Sequence, residues 1–246
     1  MSDITVVAVH GNGGGSTRFA MLGDQLDDRV ALVSIDLPGF NGVPLGPDAT
    51  SVPAYADHLA HLLPGDRPVV VLGHGIGGSI ALDLVSRRPE LVDGLILHAP
   101  VGAHLDSRLF PKLMSPPIVR RFVRRAISAK PLRGLLHGRF FPTGVVEPHR
   151  TAFFEGYRDC EAFGLMFDII TAPWFEGLEP ITDVPTRLLW GSGDRVLDAE
   201  HTGQFQEKAP NAEIQIVDGW DHFPMLEQPD EYAAAIAAIA VELVDG

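Results

Sequence analysis

Six short apolar, β-branched runs recur along the chain with helix-spaced segments between them, and this alternation limits the fold more than any other feature. The runs are Ile4 to Val9, Val30 to Ile35, Val69 to Leu72, Leu91 to His98, Thr186 to Trp190 and Ile214 to Val217. Each reads as a buried strand of the kind found inside parallel sheets. Helical spacing marks Tyr55 to Leu63, Ile76 to Arg88, Ala199 to Ala209 and the Ala-rich Pro229 to Val244, and Pro229 suits a first helical turn. Strands joined through helices pair in parallel, which predicts an α/β fold: a mostly parallel sheet with helices on both faces.

The alternation fails between about Val101 and Asp183, where prolines cluster and no β run is visible. The expected organisation is therefore a core domain made of residues 1–100 and 184–246, with residues 101–183 inserted as a helical lid. A chain of 246 residues that is 46% apolar is long enough to bury such a core and keep an insertion. The insertion holds nine of the thirteen phenylalanines, and from Arg108 to Arg139 it carries nine Lys or Arg and no acidic residue. Two readings stand: the solvated face of amphipathic helices, or an apolar pocket with a basic rim that favours a small-molecule substrate bearing a carboxylate or other anion.

Several function classes are excluded as expectations. A net charge of −13 argues against nucleic acid as a partner, since phosphate binding needs a basic face. No apolar run of about 18 residues occurs and the Met-Ser-Asp start lacks a signal-peptide pattern, so a soluble, cytoplasmic protein without a membrane partner is expected. The single cysteine, Cys160, cannot form an internal disulfide and is a weak nucleophile candidate, while no Cys/His group has zinc-ligand spacing, so no metal or cofactor is implied. Nothing in the sequence speaks to oligomeric state.

Chemistry enters at Val69-Val70-Val71-Leu72-Gly73-His74-Gly75-Ile76-Gly77-Gly78-Ser79, where a tight glycine-flanked turn joins an apolar strand directly to a helix. This is the context of a nucleophile elbow. The backbone there bends sharply against its neighbours, so glycines two before and two after the central residue are sterically required. The central residue projects into the site, and the next backbone N–H can stabilise an oxyanion. That central residue is Gly75.

On these residues the sequence resembles the α/β-hydrolase superfamily, in particular its small bacterial lidded esterases and carbon–carbon bond hydrolases, which typically read Gly-His-Ser-x-Gly-Gly at this place. The likeness runs from Ile4 to the last helix, without the antiparallel hairpin that often precedes the first such strand. His10-Gly11-Asn12-Gly13-Gly14-Gly15 resembles the family's His-Gly-x oxyanion loop, which implies that the N–H groups of Asn12 and Ile76 form the oxyanion hole. Leu37-Pro38-Gly39-Phe40, headed by Asp36, resembles the family's Asp-x-Pro-Gly-x-Gly turn, with Asn41-Gly42 in place of its usual tail. Leu188-Leu189-Trp190-Gly191-Ser192-Gly193-Asp194 offers the triad acid, and Gly219-Trp220-Asp221-His222 offers the triad histidine. The resulting order of nucleophile, acid and histidine is that of the superfamily. Asp194 would orient and polarise His222, which exchanges a proton at the nucleophile position. His10, His74 and Asp221 read as structural neighbours. A phosphate-loop reading of Gly11 to Gly15 is set aside because both glycine-rich phosphate signatures are missing.

Glycine has no atom that can attack a carbonyl, so a covalent acyl-enzyme at position 75 is impossible as the chain stands. Ser79 lies about 6 Å further along the helix axis and should not reach the vacancy. The retention of every other elbow and triad residue favours a parental serine replaced by glycine through engineering, an inactivated variant of an enzyme acting on an ester, thioester, lactone or activated carbon–carbon bond. Two alternatives remain. In one, Gly75 is native and His222 serves as general base for direct hydrolysis, lyase or cyclisation chemistry. In the other, the chain binds a ligand without turnover.

Overall fold

The computed structural model describes residues 3–24, 26–65, 68–102 and 112–246. Arg108, the start of the basic run, lies outside them. The six apolar runs form β1 (Ile4–Val9), β2 (Val30–Ile35), β3 (Val69–His74), β4 (Gly94–His98), β5 (Thr186–Gly191) and β6 (Glu213–Val217). They make one sheet in the order β2-β1-β3-β4-β5-β6, and every neighbouring pair is parallel.

Two expectations need correction. β4 begins at Gly94 and not at Leu91, because Pro89–Leu91 closes a 3₁₀ turn and Asp93 then serves the end of β3 instead of extending β4. The Asp93 N–H donates to Val69 O at 2.8 Å and its carboxylate accepts from the Val69 N–H at 2.8 Å. Nor is each strand buried on both sides: β2 and β6 are the sheet edges, and Val33, Ile214 and Ile216 are 43%, 39% and 45% exposed. At the start of β6, Arg187 on β5 pairs with Glu213 and Glu242.

Helices flank the sheet. Helix α1 (Val52–Leu62) starts at Ser51, whose hydroxyl accepts from the Ala54 N–H at 3.3 Å, with Pro53 in its first turn. Its buried Tyr55 donates to Pro38 O at 2.9 Å and so fastens the loop that follows β2. Helix α2 (Ile76–Arg87) leaves β3 after a single residue, Gly75.

Between β4 and β5 the described residues form only helices and turns: α3 (Pro117–Ser128), α4 (Lys130–Phe140), α5 (His149–Gly156), α6 (Met166–Ile169) and α7 (Ala172–Glu176). The prolines that cluster here begin helices, as Pro117, Pro131 and Pro173 each occupy a first turn. After β5, a 3₁₀ turn at Ala199–His201 leads into α8 (Thr202–Lys208), and after β6 come α9 (Pro224–Glu227) and α10 (Pro229–Asp245). Helix α10 packs along β1, β2, β3 and β4.

The strand order places a crevice. The chain leaves β1 toward β2 on one side and leaves β3 toward β4 on the other, so the loops at the carboxyl ends of β1 and β3 diverge around a gap. Val9 pairs with Gly73 across these ends, which sets His10-Gly11-Asn12 beside His74-Gly75-Ile76. Contact there is very close. A Cβ on Gly77 would stand 2.2 Å from Val9 O, and one on Gly73 would stand 2.5 Å from Gly78 Cα.

Gly77→Ala should therefore lower unfolding stability in urea by more than about 3 kcal/mol, since rigid backbone would have to move. Gly134→Ala is the control: this exposed position in α4 has open space around it, and the change should raise stability by about 0.5–1 kcal/mol.

Candidate active site

Gly75 has φ 57° and ψ −118°, a conformation that side-chain-bearing residues adopt only under strain. Its N–H donates to His98 O at 3.1 Å, and its carbonyl accepts from the N–H groups of Gly78 and Val101, each at 3.1 Å. The turn is thus held by β4 on one side and its own helix on the other. A Cβ built on Gly75 meets only Gly11 Cα, at an ordinary 3.5 Å. Space for a side chain exists, and the strained φ is the obstacle.

Asp194 and His222 come from the turns that follow β5 and β6. These turns are laced together: the Ser192 N–H donates to Val217 O and the Gly193 N–H to Trp220 O, both at 2.9 Å. His222 Nδ1 lies 2.8 Å from Asp194 Oδ2, and the Asp194 side chain is fully buried. The second carboxylate oxygen, Oδ1, accepts from Val196 N–H at 2.8 Å and Leu197 N–H at 2.7 Å. Burial alone would push this carboxyl up, but the facing His222 charge and these hydrogen bonds outweigh it and hold the group below its ordinary value. An ionised Asp194 keeps the Nδ1 proton in place and leaves Nε2 as the ring nitrogen free for proton exchange.

The other titratable residues of the region support this pair. Asp221 accepts from the His222 N–H at 2.7 Å and from Arg195 Nε at 2.6 Å. His74 lies 3.0 Å through Nε2 from His222 O, and its ring centroid is 4.6 Å from that of His222. His10 accepts the Leu37 N–H on Nε2 and contacts Gly11 O through Nδ1. Burial lowers the His10 pKa to about 4. Burial, helped by the His222 charge, lowers His98 to about 3 and His74 well below its ordinary value.

Two fallback nucleophiles are unavailable. Ser79 is buried and donates to Val101 O at 2.5 Å. Cys160 is fully buried, and burial pushes its thiol up to about 12.

Gly75, His222, Asn12 and Ile76 border one cavity of about 570 Å³, within the ordinary size of small-molecule sites. Asp194 sits behind His222. The far wall comes from the segment between β4 and β5 and is apolar or aromatic, with Ile127, Phe140, Phe163, Met166 and Ile170 among its residues. No three His, Cys, Asp or Glu side chains among the described residues group as a metal site, and no described helix is long and apolar enough to cross a membrane.

The basic run divides: Arg121, Arg125 and Lys130 are exposed, as a solvated helical face has them, while other members are tied to the chain. Arg120 donates to Met114 O, Ser115 O and Gly164 O, Arg124 to Cys160 O, Arg133 to Ser128 O and Arg139 to Arg195 O. These arginines tie main-chain carbonyls together, and of the run's described basic residues Lys112 borders the cavity. The buried cation on the wall is Arg18, from the segment after β1, which carries no signal in the sequence pattern around it.

A parallel α/β sheet with an elbow, a buried carboxylate–histidine pair and a crevice at the strand ends defines a hydrolase-type scaffold. The chain belongs to the Alpha/beta hydrolase family, whose sequence pattern matches residues 6–235. Among curated proteins it is similar to the mouse sn-1-specific diacylglycerol lipase, 27% identical over 95% of this chain and 80% of the relative. It is also similar to the pimeloyl-[acyl-carrier protein] methyl ester esterase of Neisseria meningitidis serogroup B, 24% identical over 98% of this chain and 93% of that one. Among solved structures, an esterase from Exiguobacterium antarcticum has TM-score 0.79 at 16% identity, covering 97% of this chain and 92% of that one. The Bacillus megaterium epoxide hydrolase has TM-score 0.76 at 17% identity, covering all of this chain and 94% of that one.

The buried histidines make stability depend on pH. Each is neutral in the fold but free to protonate once unfolded, so below about pH 6.5 the unfolded state binds more protons. Stability is complete above that pH and falls as pH drops toward the lowered folded values, by about 1.4 kcal/mol per pH unit per group. His98→Gln should make the decline between pH 6.5 and 4 shallower by about 1 kcal/mol per pH unit, read from urea midpoints at stepped pH.

Proposed function

We propose that this chain is the nucleophile-less form of an α/β-hydrolase enzyme that acts on a small apolar or aromatic ester, thioester, lactone or activated carbon–carbon bond. The observation that carries the reading is the pairing of an oriented His222–Asp194 couple with an elbow at Gly75 that has room for a side chain. Residues 1–100 and 184–246 serve as the core domain, and residues 101–183 as a cap whose aromatic wall meets the substrate.

In the serine form, the residue-75 hydroxyl attacks the carbonyl carbon while His222 Nε2 takes its proton. The carbonyl oxygen becomes an oxyanion held by the N–H groups of Asn12 and Ile76, neither of which donates to a protein acceptor among the described residues. His222 then returns the proton to the leaving group, and water attacks the acyl-enzyme with His222 again as base. Asp194 stays ionised throughout and stabilises the imidazolium.

A second reading follows from the same vacancy. Only Gly11 Cα lies near the missing Cβ position, and Gly75 and His222 line the same cavity; a native glycine enzyme would use a water molecule in that space directly, with His222 as base. A serine codon at position 75 of the native gene would identify an introduced glycine, and a glycine codon there would end the engineered-variant reading.

Gly75→Ser should raise turnover of 4-nitrophenyl butyrate by on the order of 10³-fold or more, because triad members act as a unit. The same change should lower unfolding stability by about 1–2 kcal/mol, since serine must adopt the strained φ of the elbow. Adding His222→Ala should return the rate to that of the unsubstituted chain. No gain on adding serine, or a gain that survives loss of His222, would overturn the serine-hydrolase reading. Loss of a slow native activity on His222→Ala in the unsubstituted chain would support the water route, and tight ligand binding with no turnover in any variant would identify a binding protein.

A further inference from the structure

Arg18 is 2% exposed and borders the cavity. Its Nη2 donates to Gly13 O at 3.0 Å, its guanidinium carbon lies 3.7 Å from the centroid of the Phe153 ring, and its Nη1 is buried without a hydrogen-bond partner. Arg18 forms no salt bridge among the described residues. Asp36, at the end of β2, is bound instead by the Ser16 N–H and hydroxyl and by Asn41.

The titratable groups that bear on this guanidinium are all held neutral. Burial raises the Tyr157 hydroxyl and pushes the Cys160 thiol up to about 12, while it lowers His10 to about 4 and His74 well below its ordinary value. Burial also lowers Arg18 itself, to about 10, against the opposing charge interaction and hydrogen bonding of the Tyr157 hydroxyl, which leaves it charged at neutral pH. A buried cation with one idle donor nitrogen and no carboxylate partner is costly unless something supplies the missing charge.

We infer that Arg18 binds a carboxylate carried by the substrate, so that the cavity takes an acyl group with a second, free carboxylate. The inference rests on the reading of this cavity as the substrate site. One uncompensated positive charge in an apolar wall matches one negative charge, and the free Nη1 can donate a charge-assisted hydrogen bond to a carboxylate oxygen. Covalent geometry sets the spacing: Gly13, which holds Nη2, adjoins Asn12, so the guanidinium stands within roughly 10 Å of the Asn12 N–H. The free carboxylate is therefore separated from the reacting carbonyl by a short chain of a few methylenes.

Binding tests this without turnover. By titration calorimetry at pH 7, the unsubstituted chain should bind 5-phenylpentanoate at least 10-fold more tightly than 5-phenylpentanamide. Arg18→Met should bring that ratio close to one, and Arg18→Gln provides the same readout if the methionine variant fails to fold. Equal affinities in the unsubstituted chain, or a preference that persists without Arg18, would overturn the inference. Arg18 as a purely structural stacking residue predicts lower stability with an unchanged ratio. A Gly75→Ser background adds a second comparison, mono-4-nitrophenyl glutarate against 4-nitrophenyl pentanoate, with kcat/KM expected to favour the glutarate at least 10-fold. Turnover without acid preference would sink the Arg18 site and keep the hydrolase reading; acid-selective binding without turnover would do the reverse.

Discussion

The backbone contact between the end of β1 and the turn after β3 is the constraint on which the rest of the site depends. Gly77 approaches Val9 O so closely that no side-chain carbon fits, and the parallel register pairs Val9 with Gly73. These two facts bring the His10-Gly11-Asn12 loop against Gly75 and leave a cavity above them. Loosening this contact would move the Asn12 and Ile76 N–H groups relative to Gly75, and the catalysis proposed for this site would be sensitive to small displacements of that kind. The glycines here are thus packing residues before they are anything else.

Around this contact, burial sorts the charges. Three histidines behind the site are held neutral, the thiol of Cys160 is held protonated, and the buried Asp194 keeps its charge through His222 and two backbone donors. In a low-dielectric interior the neutral groups interfere little with the ionised ones, so the Asp194–His222 couple acts on its surroundings nearly unscreened. Arg18 is the counterpoint on the opposite side of the loop.

Much of this was legible in the sequence because it is written locally. Apolar β-branched runs and the glycines after them placed β1, β2, β3, β5 and β6 within a residue or two, and the elbow, acid and histidine each sit at the end of such a run. The exposure of β2 and β6 was not legible, since edge position depends on strand order and not on the strand's own residues. Arg18 escaped for the same reason: its stacking partner Phe153 is 135 positions away, and an isolated arginine after a glycine loop looks like solvent-facing charge. The basic run misled in the opposite direction, because a cluster of arginines signals an anion site only when their donors are not already taken by carbonyls, as those of Arg120 and Arg124 are.

The backbone angle at Gly75 bears on how this scaffold drifts over generations. A serine encoded by AGC becomes glycine through one base change. In most places such a loss weakens a fold, but at a positive φ it relaxes one. Once selection for turnover lapses, the step from nucleophile to glycine is therefore downhill in folding energy, and it leaves the histidine, the carboxylate and the cavity assembled for any later use.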